Sequence, residues 1–520
     1  MLVLSLYQSI FVLPKRAQMI KQAQLIQKNE DIEKSTNPTT VTPIEQTKTT
    51  NQSFKEKEIK LQTTNMDIEL SNVGGSLHKL DISGSEEPLP IENMFLIKGF
   101  EKVPFVLVDQ NKDSATYVYT TKEWEITKYF KIKDKNTLNV DVNIKNLSKT
   151  SRLENIYIRG LSINGSTVDT KNTRNAMLYE LSILEKNHVF RKGGAYKFNS
   201  KDNKINNAPN NSEFDWIGFR DHYHAVIIKP KFETKGYEND VVSNSQLNVN
   251  VQPKTQTIEP GQTVNYNFTV VAGDQNIIWL KTYKEGFEKI VAFSGWWIID
   301  IFAKAVYYTI PAIHSICRNW GLSIILVSLL IYGITYPLTV KSMGSMKKMQ
   351  SVQPKVAALQ QKYKDNPQKL NAEMVELYKR EGVNPLGGCL PFLLQMPIFM
   401  ALYQILWRAY YFQGKGFLWI KDLTQPDRLI LLPKYLPFIG NEINILPIAM
   451  GAVMFLQQKI SAKNMVVTDE SQAMQQKMMR YFFPFFIGFI FYHFASGQSL
   501  YFTVFYALST WTQWKMAKSR

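Results

Sequence analysis

Cysteine is nearly missing from this chain, with two in 520 residues, Cys317 and Cys389. That leaves no material for a disulfide framework, and a redox pair or metal centre built on these two has no support around it. Histidine is scarce as well. His222 and His224 stand two apart in a strand-like run, but a metal site needs more ligands than two, and no third His or Cys is near. A phosphate loop is lacking: no Gly-Lys-Ser/Thr follows Gly74-Gly75, which reads as a turn. No motif demands a cofactor. Acidic residues are outnumbered, 44 against 61 Lys and Arg, giving a formal charge of +17. No nucleic-acid motif accompanies this excess. Lysines flank apolar runs instead, so the expected counterpart is a membrane lipid surface, with no nucleic acid partner.

Long apolar runs are missing between residues 15 and 280 and common after 290. The split predicts a soluble domain followed by a membrane domain. Residues 1–16 are expected to be an N-terminal transmembrane anchor. The apolar part ends at Pro14, too short for an ordinary span, and no basic stretch precedes it. An internal methionine at Met1, with the true start upstream, would account for that. Residues 17–65, rich in Gln, Lys, Asn and Thr, read as a flexible linker. Residues 66–275 alternate apolar and polar groups, as in Leu138, Val140, Val142, Ile144 and in Val264, Tyr266, Phe268, Val270. Turn-forming clusters divide these runs, which predicts an antiparallel β-sandwich.

From 276 to 318 the period changes. Trp279, Tyr283, Phe287 and Ile290, mixed with Lys281, Lys284 and Lys289, predict an amphipathic interfacial helix and a connection. Asp300 and Lys304 should pair one turn apart. A span is expected over 319–340, with its helix ending at Pro337. Residues 341–383 read as a cytoplasmic helical hairpin with nine Lys/Arg against four Asp/Glu. Its second arm starts at Asn366 as N-cap and Pro367 as first helical residue. Further spans are expected at 384–407, 443–460, 481–495 and 496–514. A periplasmic loop (408–442), a cytoplasmic loop (461–480) and a cytoplasmic tail (515–520) connect and end them. The basic hairpin and tail face the cytoplasm, and the β-domain lies outside. The fold class expected is a polytopic α-helical membrane protein with a periplasmic antiparallel β-sandwich. The span at 384–407 is unusual for an anchor, because Pro391, Gln395 and Pro397 sit at hydrocarbon depth.

Over about residues 66 to 515 the chain resembles the Oxa1/Alb3/YidC family of membrane-protein insertases, in its Gram-negative type. The resemblance rests on Asn319-Trp320-Gly321, Tyr336-Pro337-Leu338-Thr339, Gln353-Pro354-Lys355, Asn384-Pro385-Leu386-Gly387-Gly388-Cys389, Gln395-Met396-Pro397-Ile398-Phe399 and Ser496-Gly497. Gly74-Gly75-Ser76-Leu77 and Trp216-Ile217-Gly218 extend it into the β-domain. It implies a non-enzymatic insertase and chaperone in the bacterial inner membrane. Five core helices would enclose a hydrophilic groove open to the cytoplasm and lipid, for nascent membrane proteins. The Sec translocon, and a ribosome or targeting factor at the hairpin, would be partners.

The resemblance also implies a substrate slide built from Ser328, Tyr336, Met396, Phe399 and Phe502, with Gln395 on its wet side. The family usually places a cation in the groove on the first core helix. Here Tyr332 takes that position, and no cation lies between Trp320 and Thr339. Polarity is then expected from neutral groups: Ser328, Thr335, Gln395 and Gln404. Two other readings compete: a polytopic transporter with an extracytoplasmic domain, and a membrane-anchored carbohydrate enzyme. Against the first, no inverted repeat is visible and the spans lack charged ligands.

Overall fold

The computed structural model describes residues 55–85, 87–164, 179–193, 212–243, 246–294, 296–364, 366–383, 390–436, 439–462, 474 and 477–518. The expected anchor, most of the expected linker, the Asn384 to Cys389 motif and most of the 461–480 loop lie outside these residues. Glu56–Arg520 forms one compact unit.

Strict alternation builds the β-domain. In β8 (Thr137–Asn146), Leu138, Val140, Val142 and Ile144 are buried, while Asn139, Asp141, Asn143 and Lys145 are half-buried. β18 (Thr263–Asp274) pairs with it antiparallel. Val264 faces Ile144, Tyr266 faces Val142 and Phe268 faces Val140, so the apolar side chains of both strands share one face. These two strands sit in the middle of a nine-stranded sheet. On one side follow β7 (Trp124–Asp134), β6 (Ser114–Thr120) and β5 (Val106–Gln110). On the other follow β14 (His224–Pro230), β13 (Trp216–Arg220), β11 (Glu180–Glu185) and β12 (His188–Gly193).

Two smaller sheets cover its inner face. One runs β1 (Glu58–Gln62), β2 (Met66–Ser71), β3 (Ser76–Ile82), β4 (Glu92–Met94). The other has the order β10 (Ile158–Asn164), β16 (Gln246–Pro253), β15 (Thr234–Ser243), and β9 (Arg152–Glu154) pairs with β17 (Gln256–Ile258). The domain starts before residue 66, contrary to expectation, because Glu58–Gln62 pairs residue by residue with β2. Only Leu61 of β1 is buried, so composition made the strand look like linker. Gly74 and Gly75 form the expected turn, both at positive φ (62° and 53°). A Cβ on Gly74 would lie 2.2 Å from Leu96 and 2.9 Å from the Glu101 carbonyl oxygen, which only glycine permits.

The outer face of the large sheet is apolar too. Leu184, Trp216, Ala225, Ile227 and Val271 are buried there. They pack against residues 277–293, where one amphipathic helix was expected. The structure has instead a short helix (Ile277–Lys281), a 3-10 turn (Phe287–Ile290) and extended chain. Lys284 and Gly286 take positive φ and stop helix propagation. The gain is that Ile277, Leu280, Phe287 and Ile290 all turn inward onto the sheet.

The helices follow. α1 (Trp297–Cys317) carries the expected Asp300–Lys304 pair at 2.7 Å. α2 (Trp320–Lys362) begins at the Asn319 cap, whose Oδ1 accepts from the Leu322 amide at 2.9 Å. It does not end at Pro337 but continues to Lys362. On either side of that proline, Thr335 and Thr339 hydroxyls donate to carbonyls four residues back. α3 (Pro367–Arg380) opens with Asn366 accepting from the Lys369 amide. α4 (Leu390–Arg408), α5 (Ile445–Ala462), α6 (Phe483–Phe491) and α7 (Ser496–Lys518) complete the bundle. The loop between α4 and α5 holds an unexpected hairpin, β19 (Ile430–Leu436) and β20 (Gly440–Ile443). Among the described residues, Trp320–Ser345 is the one helical stretch long and apolar enough by itself to cross a membrane; Gln395–Leu406, Ile445–Ile460 and Met478–Phe491 are shorter.

Candidate substrate groove

α2, α4 and α7 supply the seven expected groove residues, and the structure sorts them into three settings. Tyr336 and Met396 are exposed, at 43% and 41%. Phe399 and Phe502 join Phe491 of α6 in an aromatic cluster, with centroids 5.2 Å (399 to 502), 5.2 Å (491 to 502) and 6.1 Å (399 to 491) apart. Phe502 is buried and Phe399 partly so. The third setting is polar and interior. Ser328 is fully buried and donates to the Ile324 carbonyl of its own helix at 2.7 Å. Tyr332 is buried too, and its hydroxyl donates to Thr512 Oγ1 at 2.6 Å and contacts the Leu508 carbonyl at 3.3 Å. Its ring lies edge-on to Phe505. So the hydroxyl ties α2 to α7. Gln395 is partly buried and donates to the Tyr501 hydroxyl at 3.4 Å.

Two polar groups here went unnoticed in the sequence. Gln498 and Ser499, in the first turn of α7, are fully buried, and neither their side-chain oxygens nor the Gln498 amide nitrogen has a hydrogen-bond partner. Gln404 on α4, one of the neutral groups expected in the groove, has a buried Oε1 in the same condition. Unpaired polar atoms within an apolar bundle are costly and need water or a visiting polar group. Gln498 directly follows Ser496-Gly497, and a polar pair opening a long apolar run was the available signal.

One end of the bundle is closed by the loop between α4 and α5. Its Asp427 is buried, and Oδ2 accepts from the Ile445 and Leu446 amides at 2.8 and 3.2 Å, and from Trp419 Nε1 at 3.2 Å. The carboxylate thus caps α5 from 18 residues away, against the positive end of the helix dipole. The same loop seats α7: the Ser496 amide donates to the Gln425 carbonyl at 2.7 Å, and that of Gly497 to Leu423 at 2.9 Å. No local spacing pattern hints at either contact.

The β-domain joins this same end. Asn276 Nδ2 donates to the Tyr410 hydroxyl at 2.8 Å, and the Ile277 amide to that of Tyr307 at 3.3 Å. Trp320 stacks between His314 (3.7 Å) and Tyr411 (5.0 Å). Glu180 binds Arg220 at 2.9 Å and Arg191 at 2.7 Å. Burial resists its charge, but the two guanidinium groups outweigh that and hold its pKa below the usual range. His222 and His224 do not converge on a shared ligand. His222 stacks on Tyr223, and His224 meets Asp221 at 3.2 Å and Asp274 at 3.8 Å through its two ring nitrogens.

A bundle of apolar helices with a polar interior, carrying a large β-sandwich, defines a polytopic membrane protein with an extramembrane domain. The family described as 60Kd inner membrane protein matches residues 312–520, and the YidC periplasmic domain family matches residues 100–307. A membrane protein insertase YidC of Paraburkholderia xenovorans is 31% identical over 84% of this chain and 70% of the relative. That of Chlorobium limicola is 35% identical over 60% of this chain and 53% of the relative. A crystal structure of an active YidC insertase aligns over 88% of this chain and 93% of its own, at 19% identity and a TM-score of 0.38. The chain belongs to the YidC family of membrane protein insertases. Its match spans about half the length of several of these relatives.

Proposed function

We propose that this chain inserts nascent membrane proteins into the bacterial inner membrane and assists their folding. The observation that carries this reading is the interior of the helical core. Gln404, Gln498 and Ser499 present buried polar atoms without partners, within a bundle whose exposed rim includes Met396 and Tyr336. A hydrated interior lowers the cost of passing a client's polar segment, while an apolar, adaptable rim suits its emerging helix. Transfer of this kind needs no covalent step. Asp427 and the loop above α7 would keep the groove shut on the periplasmic side. The hairpin of α2 and α3, with its basic excess, would face the cytoplasm and receive a ribosome or targeting factor. The β-domain would lie in the periplasm, and the Sec translocon would act beside the groove for part of the clients.

Site-specific photocrosslinking in cells tests this. A crosslinker at Met396 or Tyr336 should capture nascent membrane proteins, and one at Leu61 in the β-domain core should not. Depletion should leave inner-membrane proteins uninserted. Capture of no nascent chain from either position, together with normal insertion after depletion, would overturn the reading.

A further inference from the structure

The hairpin of β19 and β20 leaves an apolar surface in the open. Leu429, Ile430 and Leu431 are exposed in succession, Leu431 at 64%, and Tyr435 and Leu436 follow, Tyr435 at 77%. Neighbouring residues of a strand point to opposite faces, so both faces of β19 are apolar and uncovered. Residues 429 to 441 carry one charge, Lys434, which is exposed too. The turn from Phe417 to Ile420 adds Leu418 and Trp419, both exposed. The Trp419 indole donates to Asp427 Oδ2, the carboxylate that caps α5, so turn, hairpin and helix meet at one residue.

The root of the hairpin is fastened. Arg428 pairs with Glu442 at 2.7 Å, and the Arg428 amide donates to Asn444 Oδ1 at 2.8 Å. Tyr492, just past α6, donates to the Glu442 carbonyl at 2.9 Å, and its own carbonyl accepts from Asn444 Nδ2 at 2.9 Å. Further along β20, a Cβ on Gly440 would lie 4.0 Å from the His493 ring. From Asn444 to Gly440 the strand keeps to the end of α6, so the hairpin lies across the bundle instead of standing away from it. α5 and α6, which flank this root, expose Ile448, Phe485 and Phe489, the kind of surface that a membrane protein turns to lipid. The hairpin extends it.

A two-stranded hairpin is marginal in water, and exposed apolar surface of this extent calls for cover. A protein docked on one face would leave the other wet, whereas lipid closes on both. Depth is bounded as well. The sheet has two strands only, and each keeps an open edge whose backbone groups need water, which keeps the hairpin out of the hydrocarbon core. At the headgroup boundary those edges stay hydrated. Trp419 and Tyr435 each have an apolar ring and a polar tip suited to that layer, and Lys434 can reach outward to lipid phosphate.

We propose that β19 and β20, with Leu418 and Trp419, lie as a wedge in the interfacial layer of the outer leaflet and fix the depth at which the closed end of the bundle sits. This placement rests on the membrane reading above but not on the identity of any client.

Fluorescence quenching in lipid vesicles tests it. The full chain, carrying Cys317→Ser and Cys389→Ser, receives an environment-sensitive fluorophore through Leu431→Cys, Tyr435→Cys, Phe485→Cys or Val108→Cys, one at a time. Each sample is reconstituted in phosphatidylcholine brominated either near the headgroup or near the chain ends. Labels at 431 and 435 should lose most of their emission to the shallow bromines and little to the deep ones. The label at 485, midway along the apolar stretch Met478–Phe491, should respond to the deep ones. The label at 108, exposed on the edge strand β5 of the β-domain, should respond to neither. Absence of quenching at both 431 and 435 overturns the proposal, whether the emission is red-shifted, as in water, or blue-shifted, as beneath a second copy or another protein. Quenching there by deep bromines alone overturns the interfacial depth. Should Leu431→Cys fail to fold, the more exposed Tyr435→Cys carries the test. Quenching at 485 without quenching at 431 and 435 sinks the hairpin placement alone, and quenching at none of the three removes the membrane reading with it. Client insertion is measured on the same vesicles, where the expected quenching without insertion sinks the proposed function alone.

Discussion

Lys128 sits fully buried in the β-domain, donating to the carbonyls of Gly74 and Phe95 at 2.6 Å each, with the Phe105 ring 4.9 Å away. Burial pushes its pKa down to about 7, only partly opposed by the charge of Glu101. Above that pH the folded chain holds a neutral amine while the unfolded chain remains protonated up to about 10.4. The unfolded state then binds more protons, so stability should rise with pH between about 7 and 10, by at most about 1.4 kcal/mol per pH unit. Thermal unfolding of the β-domain at pH 7 and pH 9 reads this directly, and Lys128→Met should flatten the dependence. This lysine was not singled out from the sequence, although Trp124, Ile126, Lys128 and Phe130 share the inward register of β7. Tyr332 was half legible. Its place in the sequence marked a missing cation, but the bond to Thr512 spans 180 residues and no local pattern announces it. With the hydroxyl engaged there, clients with acidic and neutralised tails should crosslink almost equally. Tyr332→Phe should leave that ratio unchanged while costing about 1 kcal/mol of stability. A strong preference for acidic tails that vanishes in Tyr332→Phe would contradict this.

Regular elements announced themselves through period and caps. Asn319, Asn366 and Pro367 open their helices as their chemistry predicts, and β8 and β18 pair in the register their alternation demands. What failed was the extent of elements. Pro337 stayed inside α2, since a proline only weakens a helix that packing supports on both sides. The stretch from 277 to 293 gave up helical periodicity to lay its apolar side chains on the sheet. Loops were least legible of all. In α2, a Cβ built on Gly321 would fall 2.0 Å from Phe417 of the loop after α4, so the helix leaves room for that ring. Gly321→Val should expel Phe417 and destabilise the core by about 1–3 kcal/mol. Proteolysis within residues 409–444 of the purified protein should quicken accordingly. Combining it with Phe417→Ala should restore part of the loss, and full resistance in the single variant would count against this packing.

At the scale of the whole molecule, the division into a β-domain and a helical bundle was plain from where apolar runs begin. Their joint was not. It is built from contacts such as Asn276 to Tyr410, 134 residues apart, and from a second apolar face on a sheet whose first face already fills the sandwich. One hydrophobic cluster runs from Trp216 and Val271 through Phe287 and Phe293 to Tyr307, Tyr411 and Leu406. Unbroken packing of that kind transmits force. A partner that grips the β-domain therefore gains purchase on α1 and α4 themselves. A torque applied to the β-domain reaches these helices without first taking up slack in a tether.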